Sequence, residues 1–318
     1  MKVLLTGSFG NIGSHTLPEL LRQGHQVRCF DLDTGATRKV AEPFIGRTEI
    51  IFGDLREPAQ VAQAVSGVEA VAHLAALIPP GSDEDPERAR EVNVDGTANV
   101  IAACRAAPKP PRLLFTSTFD VYGNCQAKPP PRKVEEPMQG TDCYTHHKIE
   151  CEKRVRDSGL EWCIFRFADV PVIGLRDAHP IMFEIGLHNR IEALHPDDAG
   201  LAVANALKTP EAWGKVLHVG GGERCQVTYG DYLSRLLTAM GVGMLPAEAF
   251  SKKDYVTDWI DSSEAQRLFG YQRHTFDQIV DEIAACLGWK KLFVPLARPL
   301  ARRMMLKLSP YWSRRASA

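Results

Sequence analysis

The sequence is short of several features that would narrow its role at once. Its eight cysteines, at 29, 104, 125, 143, 151, 163, 225 and 286, form no Cys-x-x-Cys pair and show none of the close spacing of a zinc site, so no metal is expected. Scattered thiols of this kind fit reduced cysteines and a cytoplasmic protein. No uninterrupted apolar run approaches the roughly 20 residues needed to cross a bilayer. "MKVLLTGSFG" reaches glycine after three apolar residues, which lacks the order of a secretory signal, and a soluble chain is expected. Charge is not in excess either: 38 basic against 39 acidic residues argue against bulk nucleic-acid binding. Acid is missing in one place. From Trp289 to Ala318 there are eight Lys or Arg and no Asp or Glu, which leaves 30 basic and 39 acidic groups in the preceding residues.

What is present is a regular alternation. Short apolar runs at 2–6, 26–31, 48–53, 69–75 and 112–117 read as strands, separated by helical patterns at about 11–23, 58–66 and 86–107. A helix is expected over 141–159, ending at Gly159, then strands at 161–170 and 215–221. This predicts an α/β fold, a doubly wound parallel sheet of the Rossmann type. Residues 1–170 form the dinucleotide-binding domain, with 196–222 returning to it. Pro171, Pro180 and Pro196 punctuate a mixed region, so 171–195 and 223–288 are expected to form a small substrate-binding lobe, followed by a basic amphipathic tail over 289–318. "KPPPRKVEEP" at 128–137 reads as a proline-rich surface loop, and no internal repeat is evident.

The first loop carries chemistry. "TGSFGNIGSH" sets Gly7, Gly10 and Gly13 between strand and helix, with Phe9, Asn11 and Ile12 among them. Glycines there let the backbone turn tightly and approach a pyrophosphate, while the helix N-terminus supplies free N–H groups and a favourable dipole. Asp31, closing the second strand, is placed to accept from ribose hydroxyls and to repel the extra phosphate of NADP, which favours NAD. Arg38 nearby keeps NADP open. Asp54, followed by Leu55, is a candidate for the adenine amine or simply a helix-entry residue.

"CYTHHKIE" places Tyr144 and Lys148 four residues apart, on one face of a helix. The preceding strand ends in "TSTFDVYG". A hydroxyl at a strand end followed by Tyr-x-x-x-Lys, together with "TGSFGNIG", "GDL", "HLAA", "VNVDGT", "VYG" and "HPDDAG" in that order, resembles the extended short-chain dehydrogenase/reductases, the NAD-dependent epimerase/dehydratase family. The resemblance covers nearly the whole chain. It implies a Thr118, Tyr144, Lys148 triad, with Ser117 as the fallback for Thr118. Tyr144 exchanges a proton with a substrate alcohol or ketone, Lys148 lowers the phenol's pKa, and Thr118 bonds both the substrate oxygen and Tyr144. It also implies that Leu74, Ala75, Ala76 and Thr116 line the cofactor, that Asn93 ties strand ends together, and that Phe167 lies beside the nicotinamide or is a buried strand aromatic. His146 and His147 read as surface or packing residues. A homodimer is a family expectation.

Two departures bear on substrate. Dehydratases of the family carry an Asp-Glu pair directly after the catalytic Thr, where this chain has Phe119 and Asp120, so water elimination is disfavoured. Nucleotide-sugar enzymes resemble one another in an Arg-x-x-Asn after the sixth strand, where this chain reads "RFAD" and places Asp169 at the amide position. A carboxylate there repels a diphosphate. Only about 25 residues separate Asp169 from "HPDDAG", too few for the insertion that usually grips a nucleotide. The expected activity is an NAD(P)-dependent oxidoreductase acting on a small-molecule secondary alcohol or ketone. The alternatives are a sugar or nucleotide-sugar epimerase using the same triad, and a non-catalytic cofactor-binding regulator. The tail mixes Trp, Tyr and aliphatic residues with positive charge only. That suits peripheral contact with an anionic membrane or docking on the acidic body, with Pro295, Pro299 and Pro310 limiting any helix to about 300–309.

Overall fold

The computed structural model describes residues 1–312. Seven parallel strands form one sheet: β1 (Lys2–Thr6), β2 (Gln26–Asp31), β3 (Glu49–Phe52), β4 (Ala70–His73), β5 (Arg112–Thr118), β6 (Trp162–Phe167) and, after a short β7 (Arg190–Glu192), β8 (Val216–Val219). Their order is β3-β2-β1-β4-β5-β6-β8. The chain builds outward from β1 to β3 and then crosses back to pair β4 on the other side of β1, with Thr6 opposite His73. That reversal opens a crevice at the carboxyl ends of β1 and β4, the place where this architecture binds ligands.

Side chains alternate across the sheet as the period of two demands. Val3 and Leu5 join one buried layer with Leu17, Phe165 and Ala202, while Leu4 joins the other with Val71, Val100 and Phe115. The helix Pro196–Ala206 lies almost wholly buried against Asn11–Arg22. Their backbones touch at Gly200, where a Cβ would stand 2.6 Å from the His15 carbonyl carbon and oxygen, which accounts for the glycine of "HPDDAG".

The smaller lobe pairs β7 with β9 (Gln226–Thr228) in an antiparallel ribbon under the helices Tyr229–Ala239 and Phe276–Ala285. Its core gathers Phe183, Leu233, Leu237, Phe250 and Phe276. Ala265, Phe269 and Tyr271, inside the stretch expected to belong to this lobe, pack instead into the sheet's core. The buried carboxylate of Asp198 ties the two bodies together, accepting the backbone N–H groups of Arg273 and His274 and bonds from both their side chains. His195 and His274 stack at 3.8 Å and 19°. Asp197 lies close to both, and the ring nitrogens are already engaged: His195 Nδ1 accepts the Asp197 N–H and His274 Nδ1 bonds Asp198, so the stacked pair acts as a clamp.

Several elements differ from expectation. The helix expected at 86–107 is broken into Pro86–Arg90, a widened π turn Glu91–Asp95, and Gly96–Ala106. The wide turn presents Asn93, whose amide brackets the backbone of Leu77 by donating to its carbonyl at 2.8 Å and accepting its N–H at 2.7 Å. The helix expected at 141–159 runs Cys143–Arg156 and stops before Gly159, which takes a positive φ of 74° in the turn beyond it. The tail helix is longer than expected, Val294–Lys307, because Pro295 sits in its first turn, where no N–H partner is required. The carbonyl left unpaired by Pro299 belongs to exposed Pro295. Val294, Met305, Leu306, Tyr311 and Trp312 pack on the small lobe, so the tail is attached to it; Ser313 to Ala318, including Arg314 and Arg315, lie outside the described residues.

A buried ion pair sets the helix Cys143–Arg156 on the sheet. Glu152, 0 % exposed, takes both arms of Arg166 on β6, each at 2.8 Å. Arg166 also donates to Tyr122 and to the Val134 carbonyl. Removing one partner of such a pair strands a charge in the interior. Glu152→Ala is expected to cost about 3–5 kcal/mol in urea unfolding, whereas Arg156→Ala, which removes only the half-exposed second partner of Glu152, costs far less.

Candidate active site

The glycine loop is built by contact. A Cβ on Gly13 would collide with the Gly7 carbonyl, and one on Gly7, at φ 65°, would stand 2.8 Å from the Ala75 backbone. Gly10 is different: it is exposed, and its Cβ would meet only the Gly7 oxygen at 3.4 Å. The protein leaves room there, so the lack of a side chain serves something approaching from outside, at the N-terminus of Asn11–Arg22, which has no side-chain cap. The cleft beside it has a volume of about 320 Å³. Gly7, Gly10, Asn11, Ile12, Gly13, Asp31, Asp54, Leu55, Leu74, Ala75 and Ala76 all line it, as do Leu77, Ile78, Arg88 and Val92, which carried no signal in the sequence.

Asp31 receives the N–H of Phe9 and of Leu32, each at 2.8 Å, so it braces the loop and keeps further lone pairs for ribose hydroxyls. Burial raises its pKa, and the two N–H bonds oppose the rise. Arg38 is held by Asp33 through both Nε and a terminal nitrogen, so the cation that would favour an extra phosphate is already paired. Asp54 lies on the cleft wall, but Arg56 takes both of its oxygens, which leaves its expected role toward adenine in competition with an ion pair. Phe9 is 6 % exposed and packs toward Phe52, so its backbone and not its ring faces the site.

Deeper in, Lys148 is buried and donates to the Thr116 carbonyl at 2.8 Å, and the Thr116 hydroxyl in turn donates to the His73 carbonyl. Thr116 therefore places the lysine. Lys148 Nζ lies 5.7 Å from the centre of the Tyr144 ring. Burial brings the ammonium down to about 8. The phenol of Tyr144 goes the other way, raised well above its ordinary range by burial and then by Asp120 and Asp142. The expected lowering by Lys148 is not found here: burial dominates and the two carboxyls add to it. Thr118 also differs from expectation. Its hydroxyl donates to Asp120 at 3.0 Å, and no bond to Tyr144 is found among the described residues.

Asp120 lies close enough to both Tyr144 and Asp169 to act on them through its charge. Burial pushes Asp120 up to about 7, against the Thr118 hydrogen bond, with Asp169 and Asp142 adding to the rise. Burial likewise takes Asp169 to about 6, opposed by Arg176. Asp169 is open to solvent along the crevice yet ringed by protein, including Tyr229 and Tyr232, whose phenols its charge raises further after burial. These tyrosines and Arg176 had no motif to mark them. Other expected residues turn away. Phe119 and Phe167 are each 5 % exposed within the sheet's core: Phe167, on β6, shares a face with Phe165 and meets it edge-on at 5.9 Å, while Phe119 opens the short 3-10 turn after β5. Ser117 is buried with its hydroxyl unpartnered among the described residues. His146 is exposed and His147 buried, both off the Tyr144–Lys148 face.

A doubly wound sheet, a phosphate cradle at its switch point and a Tyr-x-x-x-Lys helix beside it define a dinucleotide-dependent enzyme of the extended short-chain dehydrogenase type. Comparison with known families agrees, since residues 3–176 match the model for the NAD dependent epimerase/dehydratase family. The chain belongs to that NAD-dependent family. It is 40 % identical over 261 residues, 76 % of each chain, to 2-alkyl-3-oxoalkanoate reductase of Stenotrophomonas maltophilia. It is 25 % identical over 259 residues to the decarboxylating sterol-4-alpha-carboxylate 3-dehydrogenase of Mus musculus, covering 75 % of this chain and 68 % of that protein. Among solved structures, UDP-glucuronic acid 4-epimerase from Bacillus cereus, crystallised with UDP-glucuronic acid and NAD, superposes with a TM-score of 0.77 at 21 % identity, over 92 % of this chain and all of that one.

Gly10→Ala is expected to keep the melting temperature and lose NAD affinity on the order of tenfold by calorimetry, whereas Gly13→Ala loses both. Asp120→Asn removes one of the charges that raise Tyr144, so the tyrosinate absorbance change assigned by difference from Tyr144→Phe should move to lower pH.

Proposed function

We propose that the protein is an NAD(P)-dependent oxidoreductase that interconverts a ketone and a secondary alcohol on an apolar carboxylic acid, with the carboxylate on the carbon next to the reacting one. The observation that carries this is the 40 % identity, over three quarters of both chains, to an enzyme named for reducing 2-alkyl-3-oxoalkanoates. The sterol enzyme's name describes the same local chemistry, a carboxylate at C4 beside an alcohol at C3.

When bound, the nicotinamide accepts or supplies the hydride. The chain's own residues handle the proton and the charge. A protonated phenol is suited to give its proton to the oxygen of a ketone as that oxygen becomes an alkoxide, and the same group takes the proton back when the alcohol is oxidised. Lys148, fixed by Thr116 behind the ring, stabilises the phenolate left behind. Thr118 and Asp120 form a hydrogen-bonded pair beside the reacting position. Arg176 lies close to Asp169 and is the cation at hand for an anionic substrate.

The test is turnover followed by absorbance of reduced nicotinamide, across 2-alkyl-3-oxo acids of increasing chain length and across UDP-sugars. Net oxidation of NAD(P)H with the oxo acids, rising with chain length, is the expected result. Isomerised sugar with no net change in coenzyme would make the protein an epimerase and sink the reading. Tyr144→Phe should lower turnover about 10²–10⁴-fold while NAD affinity stays close to that of the parent.

A further inference from the structure

Seven of the large apolar side chains that the molecule exposes fall within Trp289 to Leu308, and they are ordered. Leu296, Leu300 and Met304 follow one another at four-residue steps along the helix Val294–Lys307, exposed by 81, 62 and 60 %. Trp289, Leu292 and Phe293 continue the patch in the turn before it, with Trp289 and Phe293 edge to face at 5.8 Å. The opposite side of the helix is occupied. Val294, Arg298 and Arg302 also recur at four-residue steps, two positions away and so about 200° around the axis. Val294 packs on the small lobe, Arg298 donates to the Val242 carbonyl, and Arg302 bonds the carbonyls of Val242, Gly243 and Met244. Ser309 bonds the Ala249 carbonyl and Tyr311 bonds Glu184, which closes the attachment. The protein therefore holds the helix by its inner side and presents the apolar stripe outward.

We propose that this face docks flat on an anionic lipid surface. Lys290, Lys291, Arg303 and Lys307 are exposed around the stripe, and the segment carries no acid. Apolar side chains enter the acyl boundary while cations meet headgroup phosphates, and the aromatic pair sits at the interface. No described helix is long and apolar enough to cross a membrane, so the contact lies on the surface. Charge decides against a second copy as the occupant, because pairing this face with itself brings eight cations together with no carboxylate between them. The inference is independent of the substrate reading.

The experiment uses the full chain with NAD bound, in flotation with vesicles of phosphatidylcholine mixed with phosphatidylglycerol and with phosphatidylcholine alone. The expected result is flotation with the mixed vesicles and a blue shift of Trp289 emission. The L296E/L300E/M304E variant should lose about tenfold or more in partitioning, and K290E/K291E/R303E/K307E should lose its preference for the anionic vesicles. Both variants change only outward side chains, so melting temperature and turnover of a short soluble oxo acid should match the parent, and failure of either idea can be told from failure of the other. Absence of flotation by the parent, equal partitioning of the parent and the apolar-face variant, or a parent dimer that this variant dissociates without any vesicle binding would each overturn the proposal.

Discussion

The helix Cys143–Arg156, which carries Tyr144 and Lys148, is held in place by one buried ion pair, and the position of both side chains depends on it. Tyr144, Lys148 and Glu152 stand at successive four-residue steps, on the side of the helix that faces the sheet. Glu152 locks to Arg166 on β6, and one turn earlier Lys148 reaches the Thr116 carbonyl on β5. The helix is thereby pinned to two adjacent strands at the ends where the cofactor crevice opens, and the phenol one further turn along has little freedom left. The cost of burying Glu152 and Arg166 is offset only because every arm of the pair is bonded. The same Arg166 opens the sequence motif whose last residue, Asp169, lies in the crevice.

Charge within the crevice is arranged around the phenol and not directly against it. Burial alone would keep Tyr144 protonated, and Asp120 with Asp142 strengthens that, while the ammonium of Lys148 is itself brought down by the same exclusion of water. A site of this kind begins with a proton to give. Loading it with a dinucleotide, whose family-wide use is established, adds charges and excludes water further, so the balance among Tyr144, Lys148 and Asp120 is set jointly by chain and coenzyme.

How much of this was legible in the sequence depends on whether the signal was local. The glycine spacing, the acid ending β2 and the Tyr-x-x-x-Lys step are local patterns, and each lands in or beside the crevice. Glu152 was within reach of the same four-residue reasoning and was missed only because the polar run was not followed one turn further. Phe167 has two readings in the sequence, beside the nicotinamide or a buried strand aromatic, and the structure gives the second, on the face of β6 that it shares with Phe165. Asn93 shows the opposite case: its helix was expected to be regular, and the wide turn that lets its amide reach Leu77 is a tertiary accommodation. Tyr229, Tyr232 and Arg176 come from distant segments that meet only when the small lobe closes over the sheet, and nothing in their neighbours announces it.

By itself, then, the sequence determined the alternating layers, the glycine loop, the Tyr-x-x-x-Lys step and the family, because each rests on spacing along one strand or helix. The tertiary structure alone decided the protonation of Tyr144, the partner of Thr118, the pairing of Arg38 and Asp54, and which side of the tail helix faces outward. Those outcomes turn on burial and on charges brought together from far apart in the chain, and neither distance nor dielectric is written in local order.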